Sequence, residues 1–171
     1  MTPDRRTFLR TAGSLTIGTA ALALLRPMAI RDAKSAEAFE IVKTDDEWKK
    51  LLTPGQFSVL RKHNTVAPHT SPLETEHRKG TFACAACDLP LYDSATKFES
   101  GTGWPSFFDH LPDAVVTSTD YYLLLPRTEV HCHRCGGHLG HMFDDGPKPT
   151  GLRYCMNGVA LQFHAADKSG A

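Results

Sequence analysis

Hydrophobic and polar positions divide the chain into three stretches. From Thr11 to Leu25 about 15 uncharged, apolar-leaning residues run without periodicity, short of the roughly 20 that a membrane-crossing helix needs. The second stretch carries two helix starts in succession. Thr44-Asp45-Asp46-Glu47 forms a capping box and sets Trp48, Leu51 and Leu52 on one predicted face. Thr53-Pro54-Gly55-Gln56 repeats the device with proline at the first helical position, and Phe57 and Leu60 follow. This pair reads as scaffold rather than as a site. From Lys79 onward the pattern shortens to runs rich in Val, Leu, Tyr and Phe separated by Gly, Pro and Asp: Thr81–Ala83, Ala114–Ser118, Tyr121–Leu125, Glu129–Cys132, Leu152–Asn157 and Val159–Phe163. Strands without long alternating helices predict a small antiparallel, mostly β (α+β) domain behind a short N-terminal helix pair. It should span residues 39–165, with a disordered tail at 166–171.

The first stretch reads as a leader. Asp4-Arg5-Arg6-Thr7-Phe8-Leu9-Arg10 precedes the short apolar run, as in an export signal. It resembles a twin-arginine (Tat) signal peptide at Arg5, Arg6, Phe8 and Leu9. Ala36-Glu37-Ala38 places cleavage after Ala38, with a second candidate after Ser35. The resemblance implies transient contact with the Tat translocase and a periplasmic protein. The alternative is an uncleaved anchor or an amphipathic helix packed on the domain.

Charge changes the picture once the leader is set aside. The whole chain balances 19 Lys+Arg against 19 Asp+Glu, but residues 1–38 hold six of the basic groups and three of the acidic ones, so the remainder is net −3. Nothing there favours nucleic acid as a partner. With 41% hydrophobic and 22% charged residues the chain is globular in composition, which excludes a mainly disordered or coiled-coil protein.

Five cysteines cannot all pair as disulfides. Cys84-Ala85-Ala86-Cys87 and Cys132-His133-Arg134-Cys135 have the C-x-x-C spacing of two zinc knuckles, each turning both sulfurs toward one tetrahedral ion. Their separation requires distant hairpins tied together by one structural Zn2+. Disulfides, redox dithiols and a rubredoxin-like iron site are the competing readings.

The fifth, Cys155, lies in Leu152-Arg153-Tyr154-Cys155-Met156-Asn157. In a strand, Arg153, Cys155 and Asn157 share a polar face while Leu152, Tyr154 and Met156 share an apolar one. The nearby guanidinium favours the nucleophilic thiolate. Trp104, in Gly103-Trp104-Pro105-Ser106-Phe107, walls a pocket or plugs the core. His138 and His141, with Phe143, Asp144 and Asp145 after them, offer acids, a second metal site or surface histidines.

Together these segments are similar to a methionine-R-sulfoxide reductase of the MsrB type over about Asp46 to Phe163. The matching blocks are Lys97 through Phe107, Arg127-Thr128-Glu129-Val130, His138-Leu139-Gly140-His141 through Pro147, and Arg153 through Asn157, with both cysteine pairs in place. The resemblance implies a fold of small antiparallel sheets of the β-tent type, likewise zinc-bound. Cys155 would attack the sulfoxide sulfur, with His138, His141 and Asp145 as acids and hydrogen-bonding groups. Trp104 and Phe143 would hold the substrate's methyl group, and Arg153 and Asn157 would orient the nucleophile. Methionine-R-sulfoxide in proteins and a thioredoxin-like or other thiol reductant are the implied partners; the chain is expected to be a monomer. Many family members carry a second, resolving cysteine just before Gly-Trp-Pro-Ser; Thr102 stands there in this chain, which predicts recycling of Cys155 by an external thiol. Tyr121–Pro126 and His63–Ala67 also depart from the family pattern near the expected substrate position. A zinc-held binding module, an iron electron carrier and a general thiol peroxidase are the rival readings.

Overall fold

The computed structural model describes residues 39–122 and 125–166; the leader, its cleavage sites and the tail beyond Ala166 lie outside them. Both expected helices form, α1 over Asp45–Leu51 and α2 over Pro54–Lys62, each opened by a complete capping box. Helix α2 ends where His63 turns left-handed (φ 57°). Trp48, Leu52, Val59 and Leu60 are buried. Leu51, expected on the same face, is 62% exposed instead. The helix stops at Leu51, and Leu52 follows with extended backbone (ψ 145°) that turns its side chain inward.

Nine strands follow in chain order: β1 Gly80–Cys84, β2 Pro90–Asp93, β3 Lys97–Phe98, β4 Ser106–Phe107, β5 Val115–Asp120, β6 Arg127–Cys132, β7 His138–Phe143, β8 Arg153–Met156 and β9 Leu161–Ala165. They build a three-stranded sheet, β2-β1-β9, and a six-stranded sheet, β3-β4-β8-β7-β6-β5, antiparallel throughout. The mostly β, antiparallel expectation therefore holds. One core joins the two sheets: Phe82 of β1 and Tyr92 of β2 pack on Phe107 of β4, at ring separations of 4.9 and 4.3 Å. The Tyr92 hydroxyl donates to Met156 Sδ on β8.

Two strand expectations shift. Tyr121–Leu125 is not a strand over its described residues. Strand β5 ends at Asp120, whose Oδ1 accepts from the Tyr122 amide at 2.7 Å and withdraws that amide from any ladder. Tyr121, Tyr122 and Leu125 are exposed. The final strand starts later than expected, because Gly158–Ala160 first makes a 3-10 turn. Strands β2, β3, β4 and β7 have no counterpart among the expected runs. The first three have two to four residues, and β7 carries an irregularity that spoils its alternation.

Candidate active site and metal centre

The two cysteine pairs converge from different sheets. Cys84 closes β1 of the smaller sheet and Cys132 closes β6 of the larger. Each pair is a tight turn: Asp88 N donates to Cys84 O and Gly136 N to Cys132 O, at 2.8 and 2.9 Å. The residue after each second cysteine, Asp88 or Gly136, sits at positive φ, 58° and 65°. The four Sγ atoms lie within 4.8 Å of one another, with Cys87–Cys132 at 3.5 Å and Cys84–Cys135 at 3.8 Å. Sulfur bonding to Cys132, Cys135 and Cys87, together with burial, pushes the Cys84 thiol far up. A site of four crowded, largely buried sulfurs suits a thiophilic dication that neutralises them together, so the residues fit Zn2+.

Cys155 sits on the open face of β8, opposite Ser106 of β4 on one side and His141 of β7 on the other. Tyr154 and Met156 are buried on the opposite face, as alternation requires. Thr102 Oγ1 lies 3.7 Å from Cys155 Sγ and bonds Ser100 Oγ, which in turn bonds Ser106 Oγ. Trp104 is held from behind, its Nε1 donating to Val66 O at 3.1 Å.

Asn157 does not stay on the open face with Arg153 and Cys155. The strand ends at Met156, and Asn157 turns inward, 3% exposed, to begin the 3-10 turn. Its Oδ1 accepts from Val66 N at 3.0 Å and its Nδ2 donates to Leu139 O at 3.2 Å. It thus fixes the segment that holds the Trp104 indole.

His138 and His141, three residues apart, would face opposite sides of a regular strand. Opposite β6, however, Val130 pairs with Gly140 and His131 with His138, so Leu139 is an extra residue in β7. The bulge reverses the alternation and brings the two imidazoles to 5.5 Å, centroid to centroid. Glu129 of β6 takes His138 Nδ1 at 2.5 Å and His63 Nδ1 at 2.6 Å on the same oxygen. Burial drives His138 down to about 4, against the pull of Glu129. The ring is therefore neutral near pH 7, and its Nε2 is buried without a partner among the described residues. Burial favours the protonated form of Glu129, but His131, His63 and His138 outweigh it and hold the carboxyl below its usual value. His63, Glu129 and His138 lie close enough to share an ion; their hydrogen bonds account for the arrangement without one.

Asp145 and Arg153 form a two-toothed pair, Nε to Oδ1 and Nη2 to Oδ2, both at 2.8 Å. The guanidinium hydrogen bonds hold the Asp145 carboxyl below its usual range. Asp145 is thus an anion that steadies Arg153, not a proton donor near neutral pH. The guanidinium also covers the Phe143 ring, 4.3 Å from its centroid. Sequence reasoning had no role for Asp120, Glu129 or His63. Asp120 Oδ2 bonds His141 Nε2 at 2.8 Å and Arg127 Nη2 at 2.5 Å. Strand register places Asp120 and Glu129 around the histidines, and the left-handed end of α2 places His63; Glu129 and His63 carry no spacing motif, and Asp120 reads as an ordinary turn former.

The sequence profile of the SelR domain matches residues 52–165. The chain is 50% identical over 126 residues to the peptide methionine sulfoxide reductase MsrB of Leptospira interrogans, covering 73% of this chain and 96% of that protein. Against the MsrB of Agrobacterium fabrum it is 50% identical over 125 residues, 72% of this chain and 93% of the relative. The chloroplastic peptide methionine sulfoxide reductase B1 of Arabidopsis thaliana is 42% identical over 145 residues, 84% of this chain and 71% of its own.

Proposed function

The chain belongs to the MsrB family of peptide methionine sulfoxide reductases, and on that premise we propose that it reduces the R epimer of methionine sulfoxide through Cys155. The observation that carries the reading is the setting of that thiol, on an open strand face with His141 and Ser106 as its cross-strand neighbours. The His138 ring, kept neutral by burial, lies 5.5 Å from that of His141, and an imidazole here can take up the thiol proton. The thiolate attacks the sulfoxide sulfur, the oxygen is protonated, and methionine departs reduced by two electrons. The oxygen remains on Cys155 as a sulfenic acid. Trp104 and Phe143 hold the substrate's methyl group. Asp145 keeps Arg153 over Phe143 and near the nucleophile, and Asn157 fixes Trp104 through Val66. The four paired cysteines hold Zn2+, which supplies a structural cross-link.

Thr102 occupies the place beside Cys155 from which a second thiol could resolve the sulfenic acid. An external thiol therefore attacks Cys155, releasing water and forming a mixed disulfide, and a second thiol equivalent regenerates the cysteine. A thioredoxin-like protein is a fitting donor. The twin-arginine pattern at Arg5, Arg6, Phe8 and Leu9 supports export through Tat and repair of oxidised exported proteins in the periplasm, and Ala36-Glu37-Ala38 supports cleavage after Ala38, leaving the domain at 39–165.

The test is turnover of R and S sulfoxides supplied separately, with dithiothreitol as reductant. R must be consumed and S left, and Cys155→Ser must abolish turnover while keeping the metal. Turnover surviving in that variant, or peroxide consumed in preference to the R sulfoxide, would refute the assignment.

A further inference from the structure

Each imidazole of the β7 pair is gripped by a carboxylate from a strand to one side, but at different nitrogens. Glu129 of β6 holds His138 at Nδ1. Asp120, the last residue of β5, reaches across β6 and holds His141 at Nε2, 2.8 Å away. The grip on Asp120 is itself complete. Its Oδ2 also accepts from Arg127, its cross-strand partner, and its Oδ1 accepts from the Tyr122 amide. The side chain is only 13% exposed. The Tyr122 amide, then His141 and Arg127, hold this carboxyl well below the usual range, so it is an anion and can only accept.

We propose that Asp120 is a positioning residue for the reductase reaction, fixing His141 as the Nε2–H tautomer with Nδ1 as its basic nitrogen beside Cys155. An acceptor-only carboxylate at Nε2 requires the proton there, and a neutral imidazole then carries its lone pair on Nδ1. The two histidines consequently present opposite nitrogens, Nε2 from His138 and Nδ1 from His141. A bare ring nitrogen that takes the thiol proton can return that same proton to the sulfoxide oxygen, so one proton serves both steps. Asp120 need touch neither substrate nor sulfur; it orients the ring and opposes the charge that forms when Nδ1 is protonated. This rests on the reductase reading of Cys155.

The experiment uses zinc-loaded protein and two variants, Asp120→Asn and Asp120→Glu. The amide of Asp120→Asn can donate to the ring, so nitrogen-15 spectra of His141 should show the proton moving from Nε2 to Nδ1. The value of kcat for the R sulfoxide should fall by about 10-fold or more, with KM within about threefold, as when a histidine's orienting carboxylate is made an amide. Asp120→Glu, which still accepts, should keep the Nε2–H tautomer and recover at least about a third of the lost kcat on a logarithmic scale. Both variants should bind zinc as the parent does. Parental kcat in Asp120→Asn, an unmoved His141 tautomer in that variant, or a loss in KM alone would overturn the proposal. If Asp120→Asn does not fold, Asp120→Glu decides: a folded, zinc-replete Glu variant with the Nε2–H tautomer but no activity would show that the contact is only structural. The tautomer is read without turnover, so a parent protein inert toward R sulfoxide would sink the reductase reading and leave the assignment of the His141 proton standing on its own spectrum.

Discussion

Thr102 decides how Cys155 is returned to the thiol. Its Oγ1 lies 3.7 Å from the sulfur, close enough that a cysteine side chain at the same Cα could close a disulfide after a rotamer change. In Thr102→Cys, one equivalent of R sulfoxide should yield an intramolecular disulfide between positions 102 and 155, visible by peptide mass spectrometry. The unaltered chain should instead hold a sulfenic acid that a dimedone-type reagent traps. Failure of the variant to cross-link would mean that the two side chains do not face each other in solution; a native disulfide to Cys155 would eliminate single-cysteine recycling. At this scale the sequence was most legible where one residue type dictates one chemistry. Cys155 and the paired cysteines could be read from identity and spacing, as could Trp104 between Gly103 and Pro105. The roles of Asp120, Glu129 and His63 could not, because an acid two or three strands from the nucleophile, or a histidine at the end of a helix, has no signature until the fold brings it there. Asn157 was placed near the nucleophile by counting alternate residues. That count fails where the strand stops, one residue earlier.

At the scale of elements, the site depends on how β7 lies against β8. The extra residue Leu139 brings both histidines to one side, and Gly140 lets the strands come together. A Cβ at Gly140 would lie 2.2 Å from Cys155 O and 3.0 Å from Met156 Cα, both backbone atoms that cannot swing away. Gly140→Ala must therefore separate the two strands that carry His141 and Cys155. Turnover should fall by more than the fraction of unfolded protein explains, and denaturant unfolding should show a loss of about 1–3 kcal/mol, the usual cost of forcing a methyl into a packed site. Unchanged turnover with intact stability would contradict the close approach. The same bulge explains why β7 escaped a reading based on alternation: His138, Gly140 and His141 interrupt it with polar and small residues, and an inserted residue shifts its phase. Helices α1 and α2 were legible because their starts are written in side-chain hydrogen bonds between neighbours, Thr44 with Glu47 and Thr53 with Gln56. The exposed Tyr121–Tyr122 segment misled because β-forming residues there leave the sheet at Asp120.

Over the described molecule, two sheets share one core and are also fastened by the sulfur quartet. The segment from Cys87 to Cys132 contains β2 through β6, including Trp104, so a metal held by the quartet would close a long loop around half of the site. The core contacts of Phe82 and Tyr92 with Phe107 remain when the ion is removed, whereas the end of β1 then loses its tie to the end of β6. Removal should destabilise the fold without abolishing it, unlike a small zinc module whose folding is its metal binding. Stripping the protein with a strong chelator, or substituting Cys84→Ser, should lower the thermal midpoint by about 10 °C or more, since a cross-link worth several kcal/mol shifts a domain of this size by a few degrees per kcal/mol. Calorimetry alongside metal analysis measures both quantities on the same sample. A midpoint unchanged in verified metal-free protein would show that the quartet stabilises nothing. Iron in the native site, seen as a red thiolate absorbance, would replace zinc but keep the cross-link. Activity should fall with the metal although no step of the reduction passes through it. Trp104 lies inside the loop that the ion closes, and Cys155 lies outside it on β8. Loosening that loop moves one wall of the pocket relative to the nucleophile, so the chelated protein should lose affinity for the sulfoxide before its thiol loses reactivity toward a small alkylating agent.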